Sequence, residues 1–507
     1  MILGVDIGTS VTKAAVFDRT GRCLAQASQT STLIRLPGGR IEQDLDEVIA
    51  SVGKVAREVL AQLHDHTGPV ESANACGTIQ AVALTAQGDG LWLRDNAGNS
   101  IRPPISWMDA RASDIVRDWN RGGQNSVVQR VYELTGSGIF AGSQAGLLAH
   151  LSVSEPESLE HAAVAGHCAD AVLQRLTGQI TVDAADASMP FLDVATRSYV
   201  EEALELCGID QWRHLLAEPA PVGATFALNR AGAELLGLPT GTPVTGGPFD
   251  MVACAIGSGA FAEGDGSFIL GTTLSAQVYT RDATIVPGSE PAGVMLCTPE
   301  DGLYLRSLPT MVGTESVEWL RGLFGFDLAS LGSLLDQSIV GANGVRALSL
   351  LSPAGERAPF VDPLARGQFV NLTLDTTGPD MVRATCEAVA FASRQCFDIL
   401  GLTGEISATG GGLKSRAWAQ IFADVLGRPL NIPREELVGA RGAALVAWSA
   451  LGDPVDQDAW RADRTVIEPN PAAIAAYEDG YARYLDDLSA ARVQWNTTEK
   501  QETPSQG

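Results

Sequence analysis

Aspartates stand beside short glycine-rich stretches at several points in this 507-residue sequence. Asp6 comes just before Gly8, Thr9 and Ser10, and Lys13 follows three residues later. Backbone N–H groups in such a stretch, together with hydroxyl and ammonium groups, suit an anion such as a triphosphate. A carboxylate beside the phosphates can hold a hydrated divalent metal, because magnesium keeps most of its waters. The stretch therefore predicts phosphate binding, with Asp6 contacting a metal through water.

The same stretch forms the tip of a predicted β-hairpin. The β-formers Ile2, Leu3, Val5 and Ile7 and the apolar run 14–17 favour two strands that return on each other, with a polar, glycine-containing tip between them. An ordinary glycine turn would give the same pattern, so the hairpin by itself leaves both interpretations open.

Residues 266–279 repeat this pattern in the second half of the chain. A strand leads into Gly271, Thr272 and Thr273, and a returning strand follows. One phosphate-binding hairpin per half predicts a duplicated fold with a nucleotide between the halves, whereas two unrelated glycine hairpins are the alternative. Further on, Gly410-Gly411-Gly412 lies between a predicted strand and a helix, where glycines let the backbone approach a ligand closely.

Two further aspartates could contact a substrate or accept a proton. Asp89 follows a predicted strand at residues 79–84 and lies between two glycines. It is either a turn residue, since Asp-Gly is a common turn pair, or a ligand contact. Asp250 follows Gly246-Gly247-Pro248-Phe249 and precedes an apolar run. It is either a helix cap or a general base. The second possibility arises because all six histidines precede residue 220, so the second half lacks the commonest proton acceptor.

The elements that position these residues follow from hydrophobic periodicity. Helical spacing after Asp44, which would be the cap, predicts a long helix on the first sheet. Residues 155–178 also show a helical pattern that a glycine ends, and residues 105–111 are predicted to end a strand at an Asp-x-Arg pair. Small residues at 439–450 favour a closely packed helix.

Composition limits the class of protein. A formal net charge of −25 disfavours nucleic acid as a partner, because phosphate backbones require a positive surface. The sequence shows no apolar run of about 18–20 residues and no secretory signal, and its eight cysteines include no Cys-x-x-Cys pair. These features predict a cytoplasmic protein without a membrane segment. His64-x-His66 could ligate a metal, but a solvated pair is the favoured interpretation.

Taken in this order, the segments resemble the FGGY carbohydrate kinases, which share a superfamily with actin, hexokinase and the heat-shock ATPase chaperones. The resemblance covers about residues 1–450. It rests on Asp6-x-Gly8-Thr9-Ser10-x-x-Lys13, Gln87-Gly88-Asp89-Gly90, Trp107-Met108-Asp109-Ala110-Arg111, Gly247-x-x-Asp250, Gly271-Thr272-Thr273, Gly355-Glu356-Arg357-Ala358-Pro359 and Gly410-Gly411-Gly412-x-x-Ser415.

The resemblance implies an α/β protein with two RNase-H-like domains of the actin and hexokinase type and a nucleotide cleft between them. Residues 1–245 would form the N-terminal domain and residues 246–452 the C-terminal domain. A helical extension at 453–492 and a disordered tail at 493–507 would follow. ATP, Mg²⁺ and a small sugar or polyol are the implied ligands, and a homodimer is an implied option.

The resemblance also implies a role for each matching residue. Asp250 would be the general base and contact the substrate, and Asp6 would hold the metal through water. The nucleotide would be bound by Gly8, Thr9, Ser10, Lys13, Gly271, Thr272, Thr273, Gly410, Gly411, Gly412 and Ser415. The other substrate contacts would be Gln87, Asp89, Trp107 and Asp109.

Departures from the family pattern bear on the substrate. Gly88 stands where glycerol kinases place an arginine, and Met251 follows the base where many members carry Asn or Gln. Residues 146–151 lack the Lys and Trp of the family's Lys-Leu-x-Trp-Leu segment. Residues 86–92 and 246–250 are most similar to the L-xylulose (3-keto-L-gulonate) and erythritol kinases.

The predicted reaction is ATP-dependent phosphorylation of a terminal hydroxyl on a short ketose or polyol, of the L-xylulose, xylulose or erythritol class. A catalytically silent sugar sensor on the same scaffold and an actin- or chaperone-like ATPase are the two alternatives.

Overall fold

The computed structural model describes residues 1–75 and 79–502, and the side chains of residues 1–63 and 79–495. The chain forms two compact units. The first consists of Met1–Phe261, Thr280–Leu305 and Glu435–Asp463, and the second of Ala262–Tyr279, Arg306–Arg434 and the described residues from Arg464 onward. The domain limits predicted from the sequence stay a prediction. The side chains of His64 and His66 lie outside the described part of the chain.

Strands and helices alternate along the chain. The strands are β1 (Ile2–Ile7), β2 (Val11–Phe17), β3 (Cys23–Thr30), β4 (Ile34–Leu36), β5 (Arg40–Glu42), β6 (Ala81–Ala86), β7 (Trp92–Arg94), β8 (Val164–Gly166), β9 (Leu192–Asp193), β10 (Ser198–Tyr199), β11 (Phe226–Ala227), β12 (Pro243–Thr245), β13 (Gly266–Leu270), β14 (Leu274–Thr280), β15 (Val294–Cys297), β16 (Tyr304–Pro309), β17 (Arg346–Leu348), β18 (Gln368–Val370), β19 (Ile406–Thr409), β20 (Leu430–Pro433) and β21 (Arg464–Ile467).

The α-helices are α1 (Leu45–Ala75), α2 (Ser113–Trp119), α3 (Val127–Thr135), α4 (Gln144–Ser154), α5 (Pro156–His161), α6 (Cys168–Thr177), α7 (Ala184–Ala187), α8 (Glu201–Leu206), α9 (Arg230–Leu236), α10 (Asp250–Ser258), α11 (Glu315–Phe324), α12 (Leu331–Leu335), α13 (Gly378–Leu400), α14 (Arg416–Leu426), α15 (Val438–Ala450), α16 (Gln457–Ala462) and α17 (Pro471–Glu502).

The first unit is built on a sheet with the strand order β11-β12-β6-β1-β2-β3. The predicted hairpin is confirmed, because β1 and β2 pair antiparallel. β6 runs parallel to β1, and β12 runs parallel to β6. The carboxyl ends of these three parallel strands therefore lie at one edge of the sheet, and the loops that follow them carry the candidate site residues.

Alternation along β1 assigns its side chains to the two faces of the sheet. Leu3, Val5 and Ile7 are buried in a core that also contains the inward face of α1. Gly4 faces α15 so closely that a Cβ would lie 2.4 Å from the carbonyl oxygen of Ala440. The prediction of a small-residue helix suited to close packing is thus confirmed. This close packing places α15 on the face of the sheet that carries Asp6.

The second unit repeats this core arrangement. Its strands follow the order β16-β14-β13-β19-β20-β21, with β13 and β14 as the predicted antiparallel hairpin. β19 runs parallel to β13, as β6 does to β1 in the first unit. The rings of Phe268 and Phe422 stack at 4.9 Å between centroids, which ties α14 to the sheet.

Two segments of the first unit differ from their predictions. Residues 155–178 are not continuously helical, because β8 separates α5 from α6 and pairs with β7. Residues 105–111, all of them described, form no strand, and Ile105 makes only isolated bridges to Glu42 and Leu91. The two prolines that precede Ile105 cannot donate to a ladder, which explains the missing strand.

The C-terminal region contains β21 and α17. β21 adds an edge strand to the second sheet beside β20. α17 extends to Glu502, and the helical extension and disordered tail expected for this region stay predictions. Trp495 is buried and lies 6.5 Å from the ring of Phe360, so this part of the helix has a packing partner. Residues 503–507 lie outside the described chain.

Candidate active site

Three loops of the first unit converge at the carboxyl edge of its parallel strands. The pairing of Ile7 with Ala86 places the loop after β1 beside the loop after β6. The hydroxyl of Thr85 donates to the carbonyl oxygen of Pro248 at 2.7 Å, which fixes the loop after β12 next to them. The sequence-predicted residues of these loops are therefore brought together.

A chain of hydrogen bonds links the predicted nucleotide and substrate residues of this unit. Thr9 Oγ1 donates to Gln87 Oε1 at 2.7 Å and accepts from Trp107 Nε1 at 2.9 Å. Gln87 Nε2 in turn donates to Gln43 Oε1 at 2.9 Å. Because Thr9 holds both Gln87 and Trp107, it acts on the predicted substrate side as well as on the predicted phosphate loop.

Asp6, Asp89 and Asp250 influence one another electrostatically. Burial raises the pKa of Asp6, while Lys13 opposes that rise. Burial, followed by the charge of Asp6, raises the pKa of Asp250 to about 8, and Asp89 adds a smaller contribution. Asp6 and Asp89 both disfavour the charged form of Asp250, and a cation near these carboxylates would oppose that effect. This feature suits Mg²⁺ held by Asp6 through water, because magnesium keeps most of its waters.

Asp250 is the first residue of α10, and Phe249 occupies the cap position. Its carboxylate accepts a hydrogen bond from the backbone N–H of Met251, which partly opposes the rise of its pKa. Asp250 is therefore not the cap residue of α10, although its carboxylate does accept a hydrogen bond from one N–H group at the start of the helix. A carboxylate at a helix start, with a pKa near neutrality, can accept a proton there.

The segment around Asp89 is tightly constrained. Asp89 has a left-handed backbone conformation, with φ of 52°, which L-residues other than Asn and Asp adopt at a cost. A Cβ on Gly88 would lie 2.5 Å from the ring of Phe249 and 2.6 Å from Met189. The space that an arginine would need at position 88 is thus filled by Phe249, directly before Asp250.

Asp109 is held by protein donors on both oxygens. Oδ1 accepts from the backbone N–H of Arg111 at 2.8 Å and from its Nε at 2.9 Å. Oδ2 accepts from the backbone N–H of Ile41 at 2.6 Å and from Arg111 Nη2 at 2.9 Å. A carboxylate has about four acceptor positions, and these bonds use them. The role of Asp109 as a substrate contact stays a prediction.

The second unit brings its predicted nucleotide residues together in the same way. The parallel register of Ile269 with Thr409 places Gly271, Thr272 and Thr273 beside the three glycines after β19. A Cβ on Gly410 would lie 2.4 Å from the carbonyl oxygen of Leu270, so the two loops are in contact. A Cβ on Gly411 would meet no atom within 4 Å, which leaves this backbone open to a flat or charged ligand.

Ser415 begins the helix that follows these glycines. Its hydroxyl accepts from the backbone N–H of Trp418 at 3.4 Å, so it caps α14. The helix start adds unpaired N–H groups and a positive dipole end beside the glycine loop, which suits a phosphorylated ligand. The donor set and the open backbone therefore fit a nucleotide.

Two buried residues near the first-unit site were not anticipated. Gln43 is 1% exposed, and it receives the Gln87 bond through a contact across 44 residues that no local pattern indicates. Asp186 on α7 is 0% exposed, and neither carboxylate oxygen has a hydrogen-bond partner in the structure. Burial, with the charges of Asp183 and Asp170, raises the pKa of Asp186 well above its ordinary value.

No helix among the described residues is long and apolar enough to cross a membrane. The described residues also contain no group of three or more His, Cys, Asp or Glu side chains placed to hold a metal ion.

Two α/β units, each with a hairpin beside a parallel strand and glycine loops at the carboxyl edge, form a fold of the actin and hexokinase type. Sequence comparison assigns the family. The N-terminal domain of the FGGY family of carbohydrate kinases matches residues 1–257, and its C-terminal domain matches residues 312–451. The chain belongs to the FGGY family of carbohydrate kinases, and it is an enzyme of that class rather than a silent sensor or a protein-directed ATPase.

Individual relatives cover nearly the whole chain. An erythritol kinase of Brucella abortus is 30% identical, over 97% of this chain and 95% of its own length. A probable L-xylulose kinase of Pasteurella multocida is 27% identical, over 97% and 99% respectively. Among solved structures, a xylulose kinase from Rhodospirillum rubrum superposes with a TM-score of 0.85 at 26% identity, covering 98% of this chain and 99% of that one. These relatives match the branches that the sequence motifs indicated.

Proposed function

We propose that this kinase uses ATP and Mg²⁺ to phosphorylate a terminal hydroxyl of a short polyol or ketose, of the erythritol, L-xylulose (3-keto-L-gulonate) or xylulose class. The convergence of Asp6, Asp89 and Asp250 at the ends of adjacent parallel strands carries the proposal, because it puts a proton acceptor beside groups suited to a metal and to hydroxyls. The names of the relatives support the substrate class.

In this scheme Asp250 accepts the proton of the attacking hydroxyl as the substrate oxygen bonds to the γ-phosphorus and the bond to ADP breaks. Asp89 accepts hydrogen bonds from neighbouring substrate hydroxyls, with Gln87, Trp107 and Asp109 completing the substrate contacts. These contacts orient the substrate so that its reacting hydroxyl faces Asp250.

The nucleotide is bound in part by the first unit, through Gly8, Thr9, Ser10 and Lys13. The second unit contributes Gly271, Thr272 and Thr273, with Gly410, Gly411, Gly412 and Ser415 at the adenosine. Asp6 would hold Mg²⁺ through water, and the metal would supply charge stabilisation to the phosphates. A nearby cation also favours the charged form of Asp250, which the neighbouring carboxylates otherwise disfavour.

A panel of polyols and ketoses in an ATP-coupled assay tests the proposal. The panel contains erythritol, L-xylulose, D-xylulose, 3-keto-L-gulonate and glycerol, each with and without Mg²⁺. We expect one of the first four to give the highest kcat/KM and glycerol to be poor, because Phe249 fills the space beside Gly88. Preference for glycerol, or ATP turnover that no member stimulates, would contradict the proposal. A cytoplasmic location and a homodimer stay predictions from the sequence.

A further inference from the structure

A cavity lies in the second unit, between α13, α17 and the turn that precedes β17. Its volume is about 230 Å³, room for several water-sized molecules at about 30 Å³ each. Three aromatic side chains, Phe391, Tyr477 and Tyr484, line it together with small residues such as Ala384. None of its lining residues belongs to the candidate active site.

The cavity contains a buried carboxylate that is bonded on one side. Glu387 is 4% exposed and lines the cavity. Its Oε1 accepts from Gly341 N at 3.1 Å, Tyr477 Oη at 3.1 Å and Arg383 Nη1 at 3.4 Å. Its Oε2 receives no hydrogen bond from the residues that the structure describes. Glu387 lines the cavity, so this oxygen is a free acceptor that suits a hydroxyl donor from a ligand.

The charges on the lining favour a neutral ligand. Two acidic residues, Glu387 and Asp479, are balanced by two basic ones, Arg346 and Arg483. Arg383 and Asp487, which lie just outside the lining, pair with Glu387 and Arg346 and cancel each other's charge, so no net charge favours an anion or a cation. Aromatic faces beside mixed hydrogen-bonding groups suit the C–H surfaces and hydroxyls of a polyol.

The helix sequence keeps the cavity open. Gly480 lies inside α17, where alanine would favour the helix more. A Cβ at this position would lie 2.9 Å from Phe391 Cζ, so alanine would push the ring away from the helix. The glycine therefore allows Phe391 to remain a cavity wall.

We propose that this α13–α17 cavity is a second, non-catalytic binding site for a small neutral polyol or monosaccharide, with a ligand hydroxyl donating to Glu387 Oε2. Arg483 and Asp479, at exposed positions of α17, would contact the outer hydroxyls. The site does not depend on which sugar the kinase phosphorylates.

Two alanines of α17 give a matched pair of variants. Ala476 lines the cavity and is exposed, whereas its neighbour Ala475 is equally exposed and is not among the lining residues. Ala476→Trp should close the cavity mouth, and Ala475→Trp should add the same side chain elsewhere on the helix. Glu387→Gln keeps an oxygen for Gly341 and Tyr477 but replaces the second acceptor by a donor.

Calorimetry with erythritol, xylitol and D-sorbitol, each used singly at millimolar concentration, tests the site. We expect the wild type and Ala475→Trp to bind one more polyol molecule per chain than Ala476→Trp does. Glu387→Gln should weaken that extra binding at least tenfold, while kcat and the melting temperature of Ala476→Trp stay at wild-type values. Equal numbers of bound molecules in the wild type and Ala476→Trp would overturn the proposal, as would unchanged binding in Glu387→Gln.

Discussion

The start of α15 lies directly against the carboxylate of Asp6, since a Cβ on Gly439 would be 2.7 Å from Asp6 Oδ2. Gly439→Ala should therefore displace the Asp6 side chain. Misplacing a catalytic group by about 1 Å can cost on the order of 100-fold in rate, so we expect kcat to fall by about 10–100-fold. Steady-state kinetics with saturating ATP and sugar measure the effect.

Gly322→Ala is the matched control, because Gly322 lies inside α11 and a Cβ there would meet no atom within 4 Å. It should leave kcat unchanged and add about 0.4–1 kcal/mol of stability. An unaltered kcat in Gly439→Ala would show that the position of Asp6 does not limit the reaction.

Thr9 and Thr272 occupy corresponding loops but have different partners. Thr9→Val removes the hydroxyl that bonds Gln87 and Trp107, so the KM values for ATP and for the sugar should both rise. Thr272→Val leaves these two bonds intact and should raise only the KM for ATP. Separate titrations of each substrate distinguish the two. A sugar KM that changes equally in both variants would argue against the link through Thr9.

Local sequence was sufficient for both hairpins, the glycine loops and the small-residue helix, because each depends on residues close together in the chain. It was insufficient where a partner is distant. Thr9 and Gln87, which share a hydrogen bond, are 78 residues apart, and no periodic pattern in the sequence predicts a contact over that distance. β8 was missed because the alanines around Val164 fit a helical pattern, and only its pairing with β7 makes the segment a strand.

Asp170 and Asp186 are both buried, but among the described side chains only Asp170 has an oppositely charged partner. Asp170 pairs with Arg94, and each side chain is 1% exposed. Asp170→Asn should cost about 3–5 kcal/mol, since it leaves the Arg94 charge buried and unpaired. Asp186→Asn should cost far less, because burial and the neighbouring carboxylates raise the pKa of Asp186 and so disfavour its charged form, and asparagine has nearly the same shape without that charge. Urea unfolding of the two variants compares these costs, and a larger loss for Asp186→Asn would contradict the assignment.

Asp89→Gly separates the two interpretations of that residue. Glycine adopts φ near 52° without strain, so the melting temperature should hold or rise. If the carboxylate binds the substrate, the sugar KM should still rise about tenfold or more, from the loss of ~1–3 kcal/mol. An unchanged KM would instead assign Asp89 to the turn, whose backbone conformation glycine also satisfies.

Asp250→Asn should lower kcat by roughly 10²–10⁴ and yet stabilise the ligand-free enzyme. The folded-state pKa of Asp250 is raised from 3.8 to about 8, so the unfolded chain ionises first as pH increases. Stability attributable to Asp250 is therefore fully present below pH 3.8 and is lost as pH rises to about 8. Asparagine lacks this loss, so the melting temperature of the variant should exceed that of the wild type at pH 8 and match it near pH 4.

In the wild type, kcat/KM should rise with pH as the base ionises, and Asp6→Asn should move that rise to lower pH because it removes a neighbouring charge. A folded Asp250→Asn enzyme with near-normal kcat would refute the role of Asp250 as the base, whatever its melting temperature.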